Sequence, residues 1–386
     1  GYFLKVDSNV VSGNIGTGIN INGYGGVRVT RNRVGTDPTG TLDWGNTGAG
    51  IYIGCDTNTI GGPNPADGNL LSGNGGGGIE MYGGTTLVFG GPSQPNLVQG
   101  NVIQHNRIGT DITGTQRIPN FTGLFMNGHI DSNFVRDNLI SGNQNHGVWT
   151  RRSPSAPRRN VFQRNLIGVQ ADGITPLPND SAGVMIDSAA SNLWGGTGEQ
   201  EGNTIAYSNQ AGIAVKAGWG TQFFRNSIHH NRGVAIDLGN NGPSPNDSAD
   251  LDQGAHLLQN HPRITWIHVS GGSTRVRGRL ESRPNTTFRL EFYTNDEADS
   301  TGFGEAQTFQ TSVDVTTDSA GRATFDELIS GSFGRVVGTA TDPEYGTSEV
   351  SKAPFIVNST ADRPRDAEAD AARRAGHHRH FAVESP

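Results

Sequence analysis

Short alternations of Ile, Val and Leu with polar residues recur through the first 240 residues, bounded by Gly and Asn. Each alternation is only three to five residues long, and the spacing typical of an amphipathic helix is absent. Because successive side chains of a strand point to opposite faces, this pattern predicts short β-strands. The intervening Gly and Asn residues predict turns and disfavour helix.

Three phrases repeat along this part of the chain, and one of them is an apolar residue followed by Gly-Gly, as at 60–62 and 194–196. Asn-Arg-Val-Gly-Thr-Asp at 32–37 returns as Asn-Arg-Ile-Gly-Thr-Asp at 106–111, and Leu-Ser-Gly-Asn at 71–74 returns as Ile-Ser-Gly-Asn at 140–143. The repeat of roughly 60–70 residues divides into coils of about 20–25, which is typical of a solenoid. We expect about ten coils with inward aliphatic side chains. We expect Asn at the corners to adopt left-handed backbone, and we expect stacked Asn side chains to hydrogen-bond to one another along the solenoid axis.

The phrases resemble the right-handed parallel β-helix repeats of pectate-lyase-like (pectin lyase-like) proteins of bacterial surface or secreted type. The resemblance covers residues 1–262 and implies an all-β fold, a right-handed parallel β-helix solenoid. It is specific for the fold and unspecific for activity.

From residue 263 to 357 the alternations are longer and are separated by turn clusters such as Asp-Ser-Ala-Gly at 318–321. About seven short strands in this span predict a small antiparallel β-sandwich of immunoglobulin or fibronectin type. Residues 358–386 lack apolar periodicity, so we expect a disordered tail that includes His377, His378 and His380.

Composition narrows the functional classes. The net charge is -7, which does not support a nucleic-acid-binding surface. The single cysteine, Cys55, excludes a disulfide scaffold, and no apolar stretch is long enough to predict a transmembrane segment. The chain begins at Gly1 inside a repeat phrase, so we expect that the natural N-terminus and any secretion signal are missing. We expect a monomeric protein, secreted or at the cell surface.

One strand of each coil follows the phrase Gly-apolar-x-apolar-x, and its x positions should face outward. In chain order the outward side chains are Tyr52, Glu80, Tyr82, Phe125, Asn127, Trp149, Arg151, Met185, Asp187, Lys216 and Asp237. Just beyond these strands come Asp56, His129, Asp131, Arg152 and Trp219. Aromatic rings offer flat apolar faces to sugar rings, so the pattern predicts a long polysaccharide-binding groove. The groove residues are Tyr52, Tyr82, Phe125, Asn127, Trp149, Arg152 and Trp219.

Two catalytic schemes use charged residues of this face. A glycoside hydrolase needs two carboxylates, for which Glu80, Asp131 and Asp187 are candidates. A polysaccharide lyase needs a base and a cation near a uronate carboxylate, and the candidates are Lys216, Arg151, Arg152 and His129. The sequence leaves open whether the protein cleaves its polymer.

A separate acidic cluster, Asn246, Asp247, Asp250 and Asp252, lies between the repeat array and the second domain. Several oxygen ligands at short spacing predict a Ca²⁺ site, with a polar linker as the alternative. No other cofactor is expected. The functional hypothesis is therefore an extracellular protein that binds a polysaccharide or cell-surface glycan along the solenoid face. The alternative is a non-catalytic adhesive or structural protein in which the β-helix is a stiff scaffold.

Overall fold

The computed structural model describes residues 4–86, 94–153, 155–248, 250–297 and 302–354. The tail expected at 358–386 lies outside this range. In the described residues the only helical segments are two short 3₁₀ turns, Pro65–Asp67 and Ala255–Leu258. None of the described helical segments has the length and apolarity needed to cross a membrane.

Three parallel sheets of eight strands each form a parallel β-helix, as predicted. Sheet A contains Lys5–Asp7, Arg28–Thr30, Thr59–Gly61, Val102–Gln104, Phe134–Arg136, Val161–Gln163, Leu193–Gly195 and Gln222–Phe224. Sheet B contains Val10–Val11, Arg33–Val34, Leu70–Leu71, Arg107–Ile108, Leu139–Ile140, Leu166–Ile167, Thr204–Ala206 and Ser227–His229. Sheet C contains Ile19–Ile21, Ile51–Ile53, Gly77–Gly83, Thr122–Gly128, Val148–Arg151, Val184–Ile186, Ile213–Val215 and Ile236–Leu238. Parallel crossovers within one sheet are right-handed in almost all proteins.

Short ladders flank these sheets. Val98–Gln99 pairs in parallel with Ile130–Asp131, and Ala189–Ala190 pairs in parallel with Gly218–Trp219. Thr85–Thr86 pairs antiparallel with Gln94–Pro95.

The inner faces of the three sheets meet in one continuous core. In sheet C, for example, Ile51, Ile79, Leu124 and Val148 stack on successive strands and are at most 1% exposed. Each strand thus stabilises the next by burying aliphatic surface against it, which explains why a chain with few apolar residues still builds a core.

Buried asparagines connect the coils through side-chain hydrogen bonds along the axis, as predicted. In each ladder the side-chain amide of one Asn donates to the carbonyl oxygen of the Asn in the next coil, at 2.7–3.1 Å. The longest ladder consists of Asn9, Asn32, Asn69, Asn106, Asn138, Asn165, Asn203 and Asn226. Two others consist of Asn14, Asn46, Asn74, Asn120, Asn143 and Asn179, and of Asn58, Asn101, Asn133, Asn160 and Asn192.

The backbone of these ladder asparagines differs from the expectation. At most ladder positions the left-handed residue is the one before the Asn, for example His105 (φ 57°) before Asn106 and Asp137 (φ 57°) before Asn138. The preceding residue takes the strained turn, and the Asn itself remains free to extend its amide along the core. Gly109 is also left-handed (φ 93°), and a Cβ there would lie 2.3 Å from the Ser141 carbonyl oxygen. This explains the glycine in the Ile-Gly-Thr-Asp phrase.

The coils are fewer and longer than predicted. Each sheet has eight described strands rather than about ten, and successive asparagines of the longest ladder are 23–38 residues apart. The excess residues form loops outside the core. The Asp111 carboxylate closes one such loop by accepting hydrogen bonds from the backbone N–H groups of Thr115 and Gln116.

Seven antiparallel strands follow the β-helix in the described part of the chain, as predicted. One sheet contains Arg263–Ser270, Ser273–Glu281 and Arg322–Ser330, and the other contains Thr308–Thr316, Thr287–Thr294, Val336–Asp342 and Gly346–Thr347. The two sheets share a core around Phe288 and Phe325, so they form a β-sandwich. Its immunoglobulin-like classification and the domain limits 1–262 and 263–357 stay predictions.

The sandwich covers the last coil of the β-helix. The Thr221–Gly346 and Ile228–Ala306 bridges extend the ends of sheets A and B, and the Glu349 carboxylate accepts the backbone N–H of Leu238 at the end of sheet C (3.0 Å). The last strands therefore do not leave a free sheet edge at these positions.

Candidate functional site

The outer face of sheet C is organised into two rows of side chains by the strand register. The first row contains Tyr52, Glu80, Phe125, Trp149, Met185, Ala214 and Asp237, paired on successive strands. The second row contains Tyr82, Asn127 and Arg151. Asp187 and Lys216 directly follow the paired residues Ile186 and Val215, in line with this second row.

Four aromatic side chains contact one another along this face. The rings of Tyr52 and Tyr82 stack with centroids 5.6 Å apart and planes inclined by 15°. Tyr82 meets Phe125 edge-on at 5.5 Å, and Phe125 meets Trp149 at 4.9 Å. Burial, followed by the charge of Glu80, raises the pKa of both tyrosines, so their hydroxyl groups are neutral donors and acceptors. We call these four residues the aromatic row.

A polar network surrounds Trp149 at the end of the aromatic row. The indole Nε1–H donates to the Asp187 carboxylate at 2.8 Å, and Lys216 Nζ lies 2.9 Å from the other Asp187 oxygen. The Arg151 guanidinium lies 5.9 Å from the indole centroid and, among the described residues, has no ion-pair partner. Asn127 Oδ1 is buried without a hydrogen-bond partner. The site therefore combines the Asp187 carboxylate, which is already paired, with the Arg151 cation and the Asn127 Oδ1 acceptor, which are available to a ligand.

His146 belongs to this site but was not identified from the sequence. Its ring contacts Trp149 edge-on at 5.6 Å, it is only 8% exposed, and its Nδ1 has no hydrogen-bond partner. Burial lowers the pKa of His146 to about 4, so the ring is neutral at neutral pH. The available signal was its position two residues before Val148–Arg151, the strand that carries Trp149.

Several outward residues are more buried than the alternation predicts. Phe125, Met185 and Asp237 are exposed by only 8%, 3% and 8%, although they lie on the outer row. Met185 packs in an external apolar cluster with Ala214 and Trp149, and Asp237 accepts backbone N–H groups from the loop that follows it. Neighbouring side chains and loops, which the local pattern does not reveal, cover these positions.

The three candidate carboxylates of a hydrolase do not come together. Glu80 and Asp187 lie on strands three steps apart in sheet C, a separation of about 14 Å. A hydrolase pair needs about 5–10 Å. Glu80 Oε1 accepts the N–H of Gly77 at 2.8 Å, so it also has a local role in the start of its own strand.

Asp131 lies outside sheet C, on the short ladder beside it, and is only 3% exposed. Its carboxylate forms ion pairs with Arg158 and Arg159. Burial alone would raise the pKa of Asp131, but hydrogen bonds from Arg159, Ser132 and Arg158 outweigh it and lower the pKa. This environment is that of a structural ion-pair cluster.

The remaining candidates lie at the border of the face. His129 Nδ1 is 2.9 Å from Ser155 Oγ, and Arg152 is exposed. Asp56 accepts the backbone N–H of Gln99 at 2.9 Å. Trp219 is 57% exposed but pairs with Ala190 on a separate short ladder, so it is not part of the aromatic row.

Three of the four residues of the acidic cluster come together, and Asn246 does not. Ligand atoms of Asp247, Asp250 and Asp252 lie within 4.8 Å of one another. Asn246 is engaged elsewhere, because its side-chain amide forms two hydrogen bonds with the backbone of His261. Burial raises the pKa of Asp250 to about 6, and the Asp252 carboxyl has a raised pKa for the same main reason. Asp252 Oδ1 is buried without a hydrogen-bond partner.

Comparison with known proteins gives one family match. Residues 66–246 match the family described as "Periplasmic copper-binding protein (NosD)". The chain is a right-handed parallel β-helix protein. The NosD-like stretch contains most of sheet C, including Tyr82, Phe125 and Trp149.

Two solved structures are similar to this β-helix protein at low identity. The Dettilon tailspike protein gp208 is 13% identical, with 85% of this chain and 87% of the tailspike covered and a TM-score of 0.21. The tailspike protein gp49 from Acinetobacter baumannii bacteriophage Fri1, a capsular polysaccharide depolymerase, is 10% identical. The similar region covers 89% of this chain and 68% of the gp49 chain, with a TM-score of 0.22. No curated protein sequence matches the chain.

The copper in the NosD description finds no suitable donor set among the described residues of this β-helix. The cluster of Asp247, Asp250 and Asp252 offers only carboxylates, whereas copper favours nitrogen and sulfur ligands. Cys55 is buried in the core against backbone carbonyl oxygens. His229 and His230 have their Nδ1 atoms 2.8 Å apart, the distance of a hydrogen bond between the two rings.

Proposed function

We propose that the protein binds an extended polysaccharide along the outer face of sheet C, without hydrolysing it by a pair of carboxylates from this face. The observation that carries the proposal is the aromatic row, four contacting rings on four successive strands. Sugar rings have apolar faces that pack on aromatic rings, while their hydroxyl groups reach polar atoms at the edges. A row of rings about 4.8 Å per strand apart suits a polymer that lies along the solenoid axis.

Polar groups beside the row supply directed contacts. Asn127 Oδ1 lacks an internal donor, and the Arg151 guanidinium lacks an internal acceptor in the described part of the chain. Both lie in the second outer row, between Tyr82 and Asp187. A sugar hydroxyl can donate to Asn127 Oδ1, because an unpaired buried polar atom costs about 1–3 kcal/mol. A sugar carboxylate can pair with the exposed Arg151 guanidinium. The site thus suits a glycan that includes acidic sugars.

The competing proposal is a stiff adhesive scaffold without a ligand on sheet C. It is supported by the asparagine ladders, which stabilise the β-helix whatever its outer face does. The two proposals differ in one result. A scaffold tolerates removal of any outer aromatic side chain, whereas a binding face does not.

A glycan array probed with the full chain should identify bound polysaccharides. The affinity for each hit should then be measured for the parent protein and for Trp149→Ala and Tyr82→Ala. We expect each substitution to weaken binding by about tenfold or more, because each removes a contact worth at least ~1.4 kcal/mol. Phe134→Ala is the matched control, since Phe134 is 46% exposed on the outer row of sheet A.

Unchanged affinity in both variants would show that the glycan does not bind at the aromatic row. An equal loss of affinity in the Phe134→Ala control would show the same. Thermal unfolding of each variant verifies that the β-helix is intact. An assay for new reducing ends and for unsaturated products on each hit tests cleavage directly.

We also propose that Asp247, Asp250 and Asp252 bind Ca²⁺. Their convergence within 4.8 Å and the unpartnered Asp252 Oδ1 support this, since Ca²⁺ favours several carboxylate oxygens. Calorimetric titration should show that Asp252→Asn weakens Ca²⁺ binding at least tenfold. Because the pKa of Asp250 is raised to about 6, affinity should fall as the pH falls below 6 and the carboxyl takes up a proton. No heat of binding with the parent protein at pH 7.5 would contradict the site.

The description of the NosD family places that family in the periplasm. We infer a location outside the cytoplasm, secreted or at the cell surface, where an extended glycan is accessible.

A further inference from the structure

A pocket of about 500 Å³ lies where the β-helix meets the sandwich, and its lining contains no strand residue of sheet C. Its size is within the range of small-molecule sites. The walls come from four parts of the chain: the linker after the last coil, the start of the sandwich, the loop at Phe303 and the segment near residue 352. They include Pro243, Pro245, Pro262, Pro354, Ile264 and Phe303.

The pocket is positively charged. Arg263 and Lys352 lie in its lining, which contains no Asp or Glu. Among the described residues neither cation has an ion-pair partner. Lys352 Nζ lies 4.7 Å from the Phe303 ring centroid, so the charge sits directly over an apolar wall.

A neutral histidine completes the lining. His261 is 8% exposed, and its ring meets Phe303 edge-on at 6.0 Å. Burial, helped by the charges of Lys352 and Arg263, lowers the pKa of His261 to about 4. The imidazole is therefore uncharged at neutral pH and can bond a neutral polar group of a ligand.

The walls are fixed before any ligand arrives. The Asn246 side-chain amide donates to the His261 carbonyl at 2.8 Å and accepts the His261 N–H at 3.0 Å, which attaches the linker to the sandwich. Residues Phe303 and Lys352 are joined by an antiparallel bridge. A prebuilt pocket loses little conformational entropy on binding.

We propose that this junction pocket binds a carboxylate carried on a six-membered ring, such as a uronic acid or an aromatic acid. The ring packs between the prolines and Phe303, and the carboxylate pairs with Lys352 and Arg263. Aliphatic acids lack the ring that fills the apolar walls, and neutral sugars lack the charge. This site does not depend on the proposed function of sheet C.

Calorimetric titration of the full chain with benzoate, D-glucuronate, D-glucose and acetate tests the pocket. We expect dissociation constants on the order of 1 mM for at least one ring carboxylate. Glucose and acetate should bind at least tenfold more weakly. The ring that binds distinguishes an aromatic acid from a sugar acid.

The variants Lys352→Met and Arg263→Met should each weaken that binding at least tenfold, because each removes a charge-assisted contact. Lys5→Met, which removes an exposed cation from the first strand, is the matched control and should bind like the parent protein. The proposal is overturned if neither ring carboxylate binds, if Lys352→Met binds like the parent, or if Lys5→Met loses binding to the same extent. Thermal unfolding verifies that each variant is folded.

Discussion

The asparagines inside the β-helix and the side chains on the outer face of sheet C repeat at the same strand spacing. The two regions differ in the hydrogen bonds and ion pairs that their polar atoms form. Inside, an Asn amide in the middle of a ladder donates to the Asn of the next coil and to backbone carbonyl groups, as Asn138 does to Asn165, Ile103 and Arg136. Outside, Asn127 Oδ1 and the Arg151 guanidinium have no such partners among the described residues.

The two regions also differ in regularity. The longest inner ladder uses Asn in all eight of its positions. The outer row changes from aromatic residues to Met185 and Ala214 on successive strands. Inner positions repeat because every coil must satisfy the same buried bonds, whereas outer positions are free to vary and can therefore be used for recognition.

The largest expected effect concerns the inner ladder. Asn138→Ala removes an amide from the middle of the β-helix. The buried backbone N–H of Asn106 loses its acceptor, and Asn165 Oδ1 keeps only the backbone N–H of residue 138 as a donor. We expect the free energy of unfolding to fall by about 3–5 kcal/mol. Urea denaturation of the parent and the variant measures this loss.

Asn9→Ala is the control for that measurement, since Asn9 occupies the exposed end of the same ladder. It should cost about 1 kcal/mol or less. If both substitutions cost the same, burial of the ladder is not what makes its amides stabilising.

The second effect concerns the pH dependence of the free energy of unfolding, to which His146 beside the outer face contributes. The pKa of His146 is lowered to about 4 in the folded protein, compared with an ordinary value of 6.5. The unfolded chain therefore takes up a proton first as the pH falls, and stability is lost between pH 6.5 and 4. The loss is at most about 3 kcal/mol.

His146→Leu should remove this part of the pH dependence. Unfolding free energies of the parent and the variant, measured at pH 7 and pH 4.5, give the difference directly. Equal changes with pH in both proteins would mean that His146 protonates as readily in the folded state as in the unfolded one.

Much of the β-helix was predictable because its core depends on a local signal, the phased aliphatics. The strands of the sandwich were predictable for the same reason. Coil length was not, because loops such as the one closed by Asp111 leave the core pattern unchanged. The left-handed residue that precedes most ladder asparagines was also missed, because the preference of Asn for left-handed backbone pointed to the Asn itself.

The candidate site was only partly predictable. Alternation identified the aromatic row, because each outward residue follows an inward one. It did not reveal that loops and neighbours bury Met185 and Asp237, since burial depends on side chains from other coils. Nor did it separate Asp131 from sheet C, because the short ladder that holds Asp131 exists only once the coils are stacked.

A third prediction separates the ring of Trp149 from its N–H group. Trp149→Phe keeps an aromatic face in the row but removes the hydrogen bond to Asp187. We expect affinity for a bound polysaccharide to fall by about threefold, less than for Trp149→Ala, because loss of one hydrogen bond is worth about 0.5–1.5 kcal/mol. Titration of both variants with the same glycan decides this, and equal losses would show that the N–H matters more than the ring.

The smallest expected effect is at the other end of the row. Tyr52 has one aromatic neighbour, Tyr82, whereas Tyr82 and Phe125 each have two. Tyr52→Ala should therefore weaken glycan binding by only about twofold, since it removes a terminal contact. A loss as large as that of Tyr82→Ala would extend the binding face toward the first coils.

Oxidative footprinting with a bound oligosaccharide reports protection residue by residue and so locates the glycan on the β-helix. We expect the glycan to protect Tyr82 and Trp149 and to leave Phe134 and Trp219 as reactive as in the free protein. Protection of Phe134 or Trp219, with Tyr82 and Trp149 unchanged, would show that the glycan binds away from the aromatic row.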